Sequence, residues 1–222
     1  MDKKHKASDI IAIVAKGGLG AIPVIGPLAA EIVGRIIPNQ RLDRLEDTLK
    51  RFRDNLDDEG LGMFKANMDN PEFIDLFEEA MLQAARALSD DRRENIARIL
   101  KSGMTDEELN HMTKRRILEA FERTNDAEII LLQSGARKLN EDNEFKKQHE
   151  ILFHIPDQTI TGRPLEPSEA EAATMSKVYL KNLITLGLIS DSSFEPDFIQ
   201  LTSFGRQLLK YINNEPDADL DK

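Results

Sequence analysis

The chain has 222 residues, 40% of them hydrophobic, with 30 Lys and Arg against 40 Asp and Glu and no cysteine. That length suffices for one or two cored domains, and the lack of cysteine excludes thiolate nucleophiles, cysteine-held zinc or iron–sulfur centres and disulfides. Residues 1–103 hold 16 basic and 18 acidic side chains, residues 104–222 hold 14 and 22, so the net charge of −10 gathers in the second half and opposes non-specific attraction to phosphate or anionic lipid.

The basic opening Met1–Lys6 has the outline of a secretory signal, but Asp2, Asp9 and Lys16 interrupt it and no cleavage region follows, so it is read as retained. Gly17–Ala30 is free of charge, yet its fourteen residues reach only about 21 Å as a helix against a hydrocarbon core of about 30 Å. Gly17, Gly18, Gly20 and Gly26 with Pro23 and Pro27 also break it. Two short apolar pieces are predicted, 8–16 with Ile10, Ile11, Ile13 and Val14, and 27–37 with Leu28, Ile32, Val33 and Ile36. Leu19, Ile22, Val24 and Ile25 lie in the Gly/Pro-rich turn between them. Such a segment serves as core or assembly surface in one reading and as a conditional membrane element in another.

Leu42, Leu45, Leu49, Phe52 and Leu56 recur every three or four residues and predict an amphipathic helix. Its remaining faces mix Arg and Lys with Asp and Glu, the pattern of a solvated bundle helix. Asp57-Asp58-Glu59-Gly60 ends it, and after an irregular stretch Asn70-Pro71 starts another, with Asn70 as cap and Pro71 in the first turn. Phe73, Phe77, Ala80, Met81, Ala84 and Leu88 are its predicted inner side. Glu72, Asp75, Glu78 and Glu79 sit in its first turns, where the helix dipole favours them, with no histidine near in sequence to make them catalytic. Ser89-Asp90-Asp91 caps a third helix carrying Ile96, Ala97, Ile99 and Leu100 and ending near Ser102-Gly103.

Thr105-Asp106-Glu107-Glu108 has the form of a capping box, predicting a helix through Leu109, Met112, Ile117, Leu118 and Phe121. Asp126 caps the next, whose Ile129-Ile130-Leu131-Leu132 run belongs inside a compact domain. Residues 138–143 and 159–167 read as connectors. A helix over Ala172–Leu186 follows, then Gly187, a short hairpin returning at 198–202, and a final helix from Ser203 to Ile212. Leu180, Leu183, Ile184 and Leu188, the exit at Gly187 and Leu201-Thr202 followed by Gly205 together resemble a winged helix. That resemblance implies a DNA-binding surface at Ser176, Lys177, Tyr179, Lys181 and Asn182. The wing, 190–197, holds three acids, Phe194 and no Lys or Arg, which departs from a DNA-contacting wing and favours a protein partner.

Taken whole, an apolar Gly/Pro-broken start, a helical middle with Asn70-Pro71-Glu72-Phe73 and Ala84-Ala85-Arg86-Ala87, and a winged-helix end are similar to bacterial proteins of the abortive-infection alpha type and related phage-defence accessory proteins. The resemblance implies a defence or accessory role and no chemistry. His149 and His154 stand five apart, so they diverge on a helix and do not form the zinc-protease pair. Gly17-Gly18-Leu19-Gly20 lacks the Lys-Ser/Thr of a phosphate loop, and no Gly-x-Ser-x-Gly elbow occurs.

The expected fold is mainly α: a helical bundle over 1–103, a winged-helix-like domain with a small β-hairpin over 104–214, and an acidic tail, 215–222. The expected function is a non-catalytic protein-interaction or assembly module in anti-phage defence, docking its partner through Lys177, Tyr179, Lys181, Asn182 and Phe194. The alternatives are a membrane-perturbing effector acting through 8–37 and a DNA-binding regulator. No cofactor, metal or small-molecule substrate is expected. The expected location is the cytoplasm, with membrane association on activation.

Overall fold

The computed structural model describes residues 42–136, 143–153, 166–192 and 199–213 of the chain. The apolar segment 8–37, the acidic tail, most of both connectors, most of the wing with Phe194, and His5 and His154 lie outside the described residues. What is described is mainly helical: α1 Leu42–Asp54, α2 Asp58–Asn67, α3 Pro71–Arg86, α4 Asp90–Thr105, α5 His111–Glu122, α6 Asp126–Ala136, α7 Asn143–Gln148, α8 Glu150–Phe153, α9 Pro167–Thr185 and α10 Ser203–Asn213. Among the described residues there is no strand, only a single antiparallel bridge between Ile189 and Leu201, and no helix is long and apolar enough to cross a membrane. By contact the chain divides into two compact units, 42–118 with 211–213, and 119–210. The boundary expected at 103/104 rests on capping signals, whereas this division follows packing: residues 104–118 are tied to the first unit by Met104, buried near the end of α4, and by Arg115, paired with Asp75.

In the first unit α1 and α3 both pack on α4 and on each other, and α2 packs on α4. The α1 stripe is inward as its spacing predicts, with Leu45, Leu49, Phe52 and Leu56 buried. Phe52, Phe64, Phe73 and Phe77 meet at the centre with ring centroids 5.6–6.3 Å apart, several edge to face, an arrangement worth about 0.5–1.5 kcal/mol per pair beyond the area it buries. Asn70 caps α3 by accepting from the Glu72 amide, and Ser89 caps α4 by accepting from the Arg92 amide.

Three expectations are corrected here. The stretch before Asn70 is a helix, α2, capped by Asp57, whose carboxylate accepts from Gly60 N at 2.8 Å. Leu88 is not on the inner side of α3, because the helix ends at Arg86 and leaves it 79% exposed. Thr105 does not start a helix: it is the last residue of α4 and its hydroxyl donates back to Lys101 O. Asp106 instead accepts from the Glu108 and Leu109 amides, and the next helix waits for Asn110, which accepts from Thr113 N. As a result Met112, in the first turn of α5, is 74% exposed.

In the second unit α9 packs on α6 and α8. α6 opens on a reciprocal cap, with Glu128 N donating to Asn125 Oδ1 and Asn125 N donating to the buried Glu128 carboxylate. Ile129, Leu131 and Leu132 are buried as predicted, and Ile130 is half-buried.

Candidate interaction surface

Pro167 occupies the first turn of α9, so the helix starts five residues before the predicted Ala172. Its inner side is Ser176, Leu180 and Leu183. Its end is a Schellman motif: Gly187 N donates to Ile184 O, Leu188 N to Leu183 O, and Gly187 sits at φ 72°, a conformation that favours glycine. The chain then runs to the Ile189–Leu201 bridge, where Ser190 N donates to Gln200 O and Thr202 N to Leu188 O. Thr202 starts α10, its hydroxyl accepting from Gly205 N at 3.0 Å. Gly205 is there because a Cβ would stand 2.0 Å from Leu188 O. The Leu201-Thr202-x-x-Gly205 pattern is therefore a cap plus a backbone crossing.

The outward face of α9 carries Glu171, Thr174, Met175, Lys177, Val178, Lys181 and Thr185, all exposed. Met175 is 41% and Val178 51% exposed, two apolar side chains one turn apart in water. Lys177 and Lys181, four apart, form no ion pair among the described residues, so their mutual repulsion on the helix is not offset locally. Of the residues expected to make contacts, Lys177 and Lys181 are presented and Tyr179 is half-buried. Ser176 is a correction: it is buried, with its hydroxyl making no hydrogen bond. Asn182 is the other, since its amide donates to Glu128 Oε1 at 3.0 Å and to Arg123 O at 3.1 Å, holding α9 to α6.

A second cluster lies in the first unit. His111 Nε2 is 3.1 Å from Asp75 Oδ2, Arg115 clamps both oxygens of Asp75 and approaches Glu79 at 3.6 Å. The Arg115 guanidinium, against some burial and with help from His111, holds Asp75 below the usual carboxylate range. Sequence distance hid this histidine from the acids of α3, which lie over thirty residues away; only the α3–α5 pairing brings them together. The acids are engaged by the guanidinium, and among the described residues no group of three or more His, Asp and Glu is placed to hold a metal ion. The arrangement pins α5 to α3.

The chain matches no protein-family model, no curated protein and no solved structure. On the α9 face Met175 and Val178 are exposed beside Lys177 and Lys181, which form no ion pair among the described residues.

Proposed function

We propose that the chain is a non-catalytic protein-interaction module whose C-terminal part is winged-helix-like and docks a partner protein through the outer face of α9. The observation that carries this reading is the exposed Met175–Val178 pair, with Lys177 and Lys181 beside it on the same face and in no ion pair among the described residues. Apolar side chains with cations beside them fit a protein surface of apolar and acidic groups better than a phosphate backbone, which rewards cations and gains little from Met or Val. The helix–Gly187–bridge–helix order, with Gly205 packed on Leu188, supports the winged-helix-like part of the reading. The resemblance of the whole order of parts to abortive-infection accessory proteins supports a defence role.

The test is a photo-crosslinking residue at position 178 of the full chain, expressed in bacteria and irradiated. We expect a discrete adduct that protease removes and nuclease does not, and that is lost with Lys181→Glu. An adduct sensitive to nuclease, or a tight, sequence-specific and salt-sensitive shift of duplex DNA, overturns the proposal in favour of a regulator.

A further inference from the structure

We infer that the occupant of this face is a second copy of the chain, with α9 packed antiparallel on its two-fold-related mate; this rests on the reading of α9 as a protein-docking face. The exposed stripe Glu171, Thr174, Met175, Val178, Lys181 is self-complementary when read in reverse. At a rise of about 1.5 Å per residue, Glu171 and Lys181 stand about 7.5 Å on either side of the level of residue 176. A two-fold axis at that level sets Glu171 of each copy opposite Lys181 of the other and brings Met175 within one residue rise of the level of Val178, so two ion pairs flank a four-residue apolar centre with Lys177 at its edge. Neither Glu171 nor Lys181 has an ion-pair partner among the described residues, so both are free to make those pairs. Parallel pairing would set Glu171 against Glu171 and Lys181 against Lys181, and it is excluded by repulsion. The contact is isologous and closes after two copies. One helix per copy falls short of the roughly 1,200 Å² of a stable interface, so the pairing is weak and concentration-dependent.

The absence of cysteine from the chain makes disulfide trapping a clean test of a weak pair. Full-length Met175→Cys and Val178→Cys chains are mixed in a glutathione redox buffer, and the mixed disulfide is compared with that formed by either chain alone. The antiparallel register brings position 175 to position 178, so the mixture traps faster than either single variant. Glu171→Lys or Lys181→Glu, built into both cysteine chains, slows trapping about tenfold by turning two attractions into repulsions. Pairing a Glu171→Lys chain with a Lys181→Glu chain restores it, because both contacts become attractive again. These positions are exposed, and unchanged circular dichroism and melting establish that each variant is folded. Same-position trapping that outpaces the mixture, charge variants without effect, or no trapping at high concentration overturns the inference. If trapping fails while position 178 still yields an adduct with a different protein, the docking reading stands and only the second copy falls; if both fail, both fall.

Discussion

The two units differ at their tightest points. The first is filled by side chains: Phe52, Phe64, Phe73 and Phe77 occupy one volume between α1, α2 and α3, every ring buried. The second depends at its tightest points on side chains that are missing. Gly205 lets α10 meet the Leu188 carbonyl, and Gly135 lies where a Cβ would come within 2.7 Å of Ile199. Truncating a ring should therefore open a cavity in the first unit, and a Cβ at Gly205 should strike backbone in the second.

Phe77→Ala sets the largest expected effect. Phe77 touches Phe52, Phe64 and Phe73 and is fully buried, so truncation combines lost transfer energy with a cavity and costs about 3–5 kcal/mol. Hydrogen exchange followed by mass spectrometry should show lost protection across α1, α3 and α4. Phe77→Leu, which keeps most of the volume, should recover more than half of the loss. If Leu is as harmful as Ala, ring geometry rather than volume holds this core.

Gly205→Ala comes next, at about 3 kcal/mol, the upper part of the range for overpacking, because the atom struck is backbone and cannot rotate away. The loss of protection should centre on 183–190 and 199–210. No small residue rescues here, so Gly205→Ser should be no better than Ala. A mild Gly205→Ala phenotype would mean that the Leu188 crossing yields, and the contrast between the units would collapse.

The same contrast explains what was legible beforehand. Caps at Asn70 and Ser89 and the Leu45–Leu49–Phe52 stripe are local, so spacing alone places them. The signature at Gly187 and Leu201-Thr202-x-x-Gly205 is legible because a positive φ and a backbone crossing each demand glycine. α2 was hidden because Gly60 and Gly62 interrupt a short segment without a clear apolar stripe. Thr105 misled because a threonine hydroxyl can serve the end of one helix as readily as the start of another. The Asp75–His111–Arg115 cluster and the Tyr211 hydroxyl, which donates to Asp106 at 3.1 Å, join residues far apart in sequence that no local pattern connects. Ser176 and Asn182 share a helix with Lys177 and Lys181, and only the placement of α6 and α8 tells inner from outer.

The smallest expected effect concerns charge. In the first unit, burial raises Asp47 and Glu94, but hydrogen bonds and attraction from Arg51 and Arg93 at Asp47, and from Asn55, Arg98 and Arg51 at Glu94, outweigh it and leave both lowered. Asp75 is lowered by Arg115. A carboxylate with a lower pKa when folded binds its proton more readily when unfolded, so its stabilisation is complete above the ordinary Asp and Glu values and is lost as pH falls through the lowered ones. All three are partly exposed, so together they contribute only about 1 kcal/mol. In the second unit the Asn182 amide and the Thr202 hydroxyl are neutral donors, beside the charged Arg206, which donates to Leu201 O. Urea midpoints of the full chain should be level at neutral pH and fall below about pH 4, and Asp75→Asn should shallow that fall while lowering the neutral midpoint. A chain whose midpoint is flat from pH 7 to 3 would show that these ion pairs contribute nothing net, leaving the apolar core to hold α1, α3 and α4 together.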